Sequence, residues 1–253
     1  MPAPVNQLKT NLLNGQLQKG LWMVLASGVV AEMASHAGFD WCLIDAEHGP
    51  NDLITIQGQL QAMNGAPASA VVRVPVAEDW MLKQVLDLGA QTVLIPMIDT
   101  ADQAAKAVAA CTYPPQGVRG LGSALARASG YNAIADYPAT ANDQICVMVQ
   151  VESKMAIENI DAIAATQGVD VVFIGPADLS ADMGYLGKTD APEVEDAIAH
   201  AIARIHAAGK VPGIVLFDPA DFQRYIDMGV GFLGVGSDVT SLGASLRNLA
   251  RSV

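Results

Sequence analysis

Eight short apolar or β-branched runs, each followed by a stretch long enough for a helix, constrain this 253-residue chain more than any other feature. The runs are Gly20–Ala26, Trp41–Asp45, Ala70–Val74, Thr92–Pro96, Ile145–Val151, Val169–Ile174, Val211–Leu216 and Gly231–Val235. The helix-length segments are Val29–Ala37, Asp52–Met63, Asp79–Leu88, Ala101–Cys111, Ala156–Ala165, Glu193–Ala208, Pro219–Asp227 and Asp238–Ala250. Strands alternating with helices must lie parallel and be joined by right-handed crossovers, and eight such units close into a (β/α)₈ barrel. The expectation is therefore one α/β domain over residues 1–253, a TIM barrel. An open doubly wound sheet is the alternative, weakened because no Gly-rich phosphate loop follows the first run.

Composition supports a covered parallel sheet. Apolar residues make up 51% of the chain but aromatic residues only 5%, so the interior is built from Ala, Val, Leu and Ile. A formal charge of −12 with only 14 Lys and Arg argues against a nucleic-acid surface, which needs clustered cations. Cys42, Cys111 and Cys146 are far apart without C-x-x-C spacing and read as buried thiols. The N-terminus has no continuous apolar core of a signal peptide, and no apolar run approaches about 18 residues, so a cytoplasmic protein without a membrane partner is expected. The irregular stretch 112–142 is long enough to predict an active-site or interface loop containing a short helix. Leu242, Leu246 and Leu249 recur at helical spacing on the last helix and predict either a barrel-closing seam or a contact with a neighbour.

In a barrel, functional groups belong at the C-terminal ends of strands. Asp45-Ala46-Glu47-His48 ends the second run, Arg73 the third, Gln150-Val151-Glu152 the fifth, and Gly175-Pro176-Ala177-Asp178 follows the sixth. Glu152 and Asp178, from neighbouring strands, are a natural pair of oxygen ligands for a divalent cation that keeps its other positions for water and substrate. Gln150 shares a strand face with Glu152 by period-two alternation. His48 suits acid–base work near neutral pH, with Asp45 placed to orient its ring. Arg73 offers a rigid cationic fork for a carboxylate or an enolate oxygen, and the amides of Ala177 and Asp178 can receive a substrate carboxylate at a helix start. Helix capping by Glu152, backbone binding by Asp178 and an ion pair of Arg73 with Glu78 or Asp79 are the structural alternatives.

The chain also resembles the HpcH/HpaI aldolases, in order along nearly its whole length. The matching pieces are G-L-W at Gly20–Trp22, D-x-E-H-G-P at Asp45–Pro50, R-V-P at Arg73–Pro75 and G-A-x-x-V-L-I-P-M at Gly89–Met97. They continue with Y-P-P-x-G-x-R-G at Tyr113–Gly120, G-S-A-L-A-R-A-S at Gly122–Ser129, Q-V-E at Gln150–Glu152 and G-P-A-D-L-S at Gly175–Ser180. The resemblance implies a class II pyruvate aldolase with a divalent metal, Mg²⁺ or Mn²⁺ first and Co²⁺ or Zn²⁺ also compatible, held by Glu152 and Asp178. It implies that His48, assisted by Asp45, is the acid–base centre and that Arg73 touches the pyruvyl carbonyl oxygen. It implies that Asp87, otherwise read as a solvated helix residue, reaches the His–Asp pair of an adjoining subunit. A homo-oligomer is implied as well, a hexamer built as a trimer of dimers with the last helix exchanged. The expected reaction is reversible cleavage of a 4-hydroxy-2-oxo acid to pyruvate and an aldehyde. The alternatives are a Schiff-base aldolase through Lys154, an acyl-CoA lyase and a non-catalytic binder of metabolites.

Overall fold

The computed structural model describes residues 1–252 and shows a closed barrel of eight parallel strands. The strands are β1 (Gln18–Met23), β2 (Trp41–Asp45), β3 (Ser69–Arg73), β4 (Thr92–Ile95), β5 (Cys146–Val151), β6 (Val171–Ile174), β7 (Val211–Val215) and β8 (Phe232–Ser237), each paired with the next in sequence. β8 returns to β1 with a register shift between Gly20 and Trp22. The helices are α1 (Gln7–Leu13), α2 (Gly28–Ser35), α3 (Leu53–Ala62), α4 (Asp79–Asp87), α5 (Ala101–Cys111), α6 (Tyr137–Thr140), α7 (Lys154–Glu158), α8 (Ile160–Ala164), α9 (Pro176–Asp182), α10 (Pro192–Ala207), α11 (Pro219–Asp227) and α12 (Asp238–Ala250). The closed ring settles the choice between barrel and open sheet. No helix among the described residues is long and apolar enough to cross a membrane.

Period-two alternation divides each strand between two apolar layers. One set, including Cys42, Ile44, Val72, Val93, Val149 and Val172, packs outward against the helices. The other set fills the lumen with Trp22, Trp41, Leu43, Val71, Leu94, Met148, Phe173 and Phe232. Few aromatic residues occur in the chain, yet four of them meet here. The Trp41 and Phe232 rings stack at 4.0 Å between centroids, and Trp22 lies 5.4 Å from Phe173. Gly20 makes room for this stack, because a Cβ at that position would fall 1.9 Å from the Trp41 ring.

Sequence periodicity had not shown α1, which plugs the lower end of the barrel with Leu8 and Leu12. Its N-cap Asn6 accepts from Lys9 N–H and donates to the Gln91 carbonyl, Thr92 Oγ1 and the Gln144 carbonyl. The segment expected as one helix over Ala156–Ala165 divides into α7 and α8 at Asn159, whose side chain donates to the Asp99 carbonyl. Residues 112–142 contain the expected short helix, α6, but none of them lines the barrel mouth of their own chain. They pack instead along α3 and α4, where Arg127 donates to the Leu60 and Leu88 carbonyls, and they expose Val118, Leu121, Leu125 and Tyr131. The three cysteines are buried and unbridged, and burial pushes the Cys42 and Cys111 thiols up to about 12.

Candidate active site at the C-terminal mouth

The lumen register carries polar side chains in its top layer. On β2 the inward series Trp41, Leu43 ends in Asp45; on β3, Val71 is followed by Arg73; on β5, Cys146 and Met148 are followed by Gln150. Asp45 and Arg73 are direct partners in the β2–β3 register. These residues, with Trp22, Phe173 and Asp178, line a cleft of about 330 Å³ whose rim is apolar at Val24, Val215, Phe217 and Val239.

Arg73 is the best-anchored group. Its Nε and Nη2 donate to the two carboxylate oxygens of Asp45 at 2.9 and 2.6 Å, and Nη1 lies 2.8 Å from Glu47 Oε2. That last contact is an ion pair off the N–H direction, because Glu47 Oε2 has no aligned hydrogen-bond donor. The guanidinium also sits 5.5 Å from the Trp22 ring centroid. A guanidinium has five N–H donors, so three, two on Nη1 and one on Nη2, are left without a hydrogen-bond acceptor. Glu78 and Asp79, the alternative partners from sequence, make no ion pair with Arg73; Asp79 faces Lys106.

Asp45 does not orient the His48 ring. Its carboxylate is occupied by Arg73 and by the backbone amides of Glu47 and His48, at 3.0 and 3.3 Å. The residue thus shapes the turn that carries the histidine rather than its imidazole. The His48 ring is exposed at the cleft edge, with Glu47 Oε2 as its nearest charge, 3.8 Å from Nε2. Glu47 carries no role among the sequence expectations, although it continues the inward phase of 43 and 45. Burial pushes its carboxyl above the usual carboxylate range; Arg73 and His48 oppose the rise, while Glu152 and Asp45 add to it.

Glu152 follows β5 and is 3% exposed. Each of its oxygens takes one donor: Oε1 accepts from Met97 N–H at 2.8 Å, and Oε2 accepts from the Gln150 amide. Gly175 admits it, because a Cβ there would lie 2.6 Å from Oε2. Burial raises the Glu152 carboxyl above its ordinary value, the two donors pull it back, and the charge of Asp178 raises it again. Asp178 sits exposed in the first turn of α9, after Gly175 as N-cap and Pro176 at the first helical position, with Ala177 beside it. The structure therefore brings Glu152 and Asp178 into electrostatic range, with Gln150 and Asp178 lining the cleft and Glu152 behind them.

This donor set fits a divalent cation. The charge of Asp178 raises the cost of ionising Glu152, and the Oε1 atom of Gln150 is a buried acceptor with no donor. The local shortage is of positive charge, not of oxygen ligands. Among the described residues no group of three or more His, Cys, Asp or Glu side chains forms a metal cage, so remaining positions would fall to water and substrate.

Asp87 is not part of this cleft. It closes α4, the helix that returns the chain to the start of β4, and therefore lies towards the opposite rim. Its Oδ1 accepts from Arg119 Nη2 at 2.7 Å, and that fully buried guanidinium stacks 4.3 Å from the Tyr113 ring centroid. The lysine weighed for an imine, Lys154, starts α7 with an exposed side chain and does not line the cleft.

A (β/α)₈ scaffold with an anchored arginine, an exposed histidine and two carboxylates at its C-terminal mouth defines a class of enzymes that work on small oxygen-rich anions. Residues 18–244 match the model of the HpcH/HpaI aldolase/citrate lyase family. A hydroxypyruvate/pyruvate aldolase of Agrobacterium fabrum is 54% identical over 250 residues, 99% of this chain and 94% of that protein. A 4-hydroxy-2-oxo-heptane-1,7-dioate aldolase of Salmonella dublin is 51% identical over 245 residues, 97% and 93% of the two chains. The crystal structure of an HpcH/HpaI aldolase/citrate lyase family protein from Burkholderia cenocepacia superposes with a TM-score of 0.95 at 40% identity, covering 98% of this chain and 99% of that one. The chain belongs to the HpcH/HpaI aldolase/citrate lyase family. It is a carbon–carbon lyase of the aldolase kind.

Proposed function

We propose that the protein catalyses the reversible aldol cleavage of 4-hydroxy-2-oxo acids to pyruvate and an aldehyde, as a metal-dependent class II aldolase. The observation that carries this reading is an arginine held by Asp45 and Glu47, with N–H donors to spare, beside a carboxylate pair short of positive charge. Relatives named for pyruvate and 4-hydroxy-2-oxo acid aldol chemistry support it.

Glu152 and Asp178 would hold the cation, with Mg²⁺ or Mn²⁺ suited to an all-oxygen set and Co²⁺ or Zn²⁺ compatible. When bound, the cation supplies Lewis-acid stabilisation of negative charge on the oxo acid. Arg73 donates its free N–H groups to the substrate C2 oxygen, and Gln150 and the Ala177–Asp178 amides orient the carboxylate end. His48 accepts the C4 hydroxyl proton. The C4 oxygen then forms the aldehyde carbonyl, the C3–C4 electron pair passes into the pyruvate enolate, and protonation at C3 yields the methyl group. Addition runs the same steps in reverse. Arg73 acts from a fixed position, because two carboxylates hold its fork before substrate arrives.

Asp87 reaches the Asp45–His48 turn of a second copy in this reading, in a homo-oligomer assembled as a trimer of dimers. Its location away from its own chain's cleft supports that arrangement. So does the exposed Leu242, Leu246 and Leu249 face of α12. Three unbridged cysteines fit a reducing, cytoplasmic compartment.

The test is exchange of the pyruvate C3 protons into deuterated water, followed by NMR, which needs no aldehyde. Exchange should vanish on chelation, return with Mg²⁺ or Mn²⁺, and be lost in Glu152→Ala. A folded protein that shows no exchange under any of these metals overturns the reading.

A further inference from the structure

We infer that Met97 is a positioning residue for the metal centre, acting through its backbone amide: a left-handed turn at this residue aims N–H groups at β5 and fixes the Glu152 carboxylate. The inference rests on Glu152 being a metal ligand.

Met97 follows β4 and has φ +57°, a conformation that residues with a Cβ seldom adopt. Its side chain is 58% exposed, so the turn is not imposed by burial of the thioether. The turn changes the direction of consecutive amides. In an extended strand, successive N–H groups point to opposite sides, and only one of two neighbours can face the adjacent strand. Here both do: Met97 N–H donates to Glu152 Oε1 at 2.8 Å and Ile98 N–H donates to the Gln150 carbonyl at 3.0 Å. Consecutive amides converging on one side form the concavity that backbone nests use for anions, and the anion here is a carboxylate of the protein itself.

The following residues hold the turn. The Asp99 carboxylate accepts from the Ser153 hydroxyl, the Asp99 carbonyl accepts from Asn159 Nδ2 at 2.9 Å, and Asp99 N–H donates to Gln103 Oε1 at 2.7 Å. Residues 97–99 are thus laced to both sides of Glu152. With Met97 on Oε1 and Gln150 on Oε2, neither carboxylate oxygen can rotate freely, and each keeps lone-pair capacity for a cation. Groups that orient metal ligands in this way are worth about 10–100-fold in metal affinity.

A series at this one position tests the inference, with Mn²⁺ alone as the probe and calorimetric titration of the folded, chelated protein as the readout. Met97→Gly keeps the left-handed turn and the N–H, and should bind Mn²⁺ as tightly as the unaltered chain or more tightly. Met97→Val disfavours the turn and should bind about ten-fold more weakly; if it does not fold, Met97→Ala compared with Met97→Gly decides, the alanine variant being the weaker binder. Equal affinity across the series overturns the inference, as does a glycine variant as weak as the valine one, which would assign the effect to the side chain. Glu152→Ala distinguishes the underlying reading: Mn²⁺ binding undiminished in that variant overturns the metal centre itself, and the role of Met97 with it.

Discussion

Replacing Arg73 with leucine removes the guanidinium that touches Asp45 through both oxygens and Glu47 through one, while leaving both carboxylates in place. Asp45 is 1% exposed and cannot turn to solvent, and the substitution strands its charge in the top layer of the lumen. Removing one partner of a buried ion pair costs about 3–5 kcal/mol. In a domain of this size that corresponds to a fall in Tm on the order of 10 °C. The loss should depend on pH in a definite direction. Glu47 already has its carboxyl raised by burial, with Arg73 holding it down. Without Arg73 the rise is larger, the native state binds that proton more tightly than the unfolded chain, and stability falls as pH rises through the raised range. The deficit is therefore greatest at neutral pH and narrows on acidification towards the ordinary carboxylate range. Urea unfolding followed by tryptophan fluorescence reads this directly, because Trp22 lies against the substituted side chain. A deficit below about 1 kcal/mol at pH 7 would refute the reasoning, since that is the worth of an exposed pair, and so would a deficit that widens at low pH.

Gly175→Ala should weaken Mn²⁺ binding by about ten-fold or more, since its Cβ would fall 2.6 Å from Glu152 Oε2 and 3.2 Å from Gln150 Nε2; calorimetry showing unchanged affinity would separate Glu152 from the metal. Glu47→Gln should be at least as stable as the unaltered chain at pH 8, because burial already disfavours the charge it removes; a loss above about 2 kcal/mol in urea would show that the pairing with Arg73 outweighs desolvation. Gly20→Ala should cost about 3 kcal/mol or more by thermal unfolding, because the Trp41 ring it would strike is stacked on Phe232 and has nowhere to move. A small change in Tm would mean that the lumen is looser than the structure shows.

Strands were legible in the sequence where both of their faces are buried, because such runs are apolar throughout. β2 coincides with the run ending at Asp45, and α12 with the segment 238–250. The N-terminal plug was not legible, because its two lumen contacts, Leu8 and Leu12, make one turn of apolar spacing among polar residues. Charged strand ends pointed to Asp45, Arg73, Glu152 and Asp178, since a covered barrel has little other use for charge there. Their pairing was less accessible. The bond expected between Asp45 and His48 depends on which neighbour wins a carboxylate, and the Arg73 fork on the adjacent strand takes both oxygens. Met97 was invisible for another reason: its contribution is a backbone dihedral, and an exposed methionine after a proline carries no sign of it.

The plug has a consequence for how the chain folds. The Asn6 side chain bonds to partners 85, 86 and 138 residues further along, so α1 gains its full anchor only once the segment leading into β5 is in place. Contacts of such sequence separation delay folding. Closure of the barrel from below is consequently a late event in folding rather than a seed for the rest. A change ahead of α1 should therefore act on yield and refolding rate, while the candidate site, built from the other ends of the strands, is left as it was.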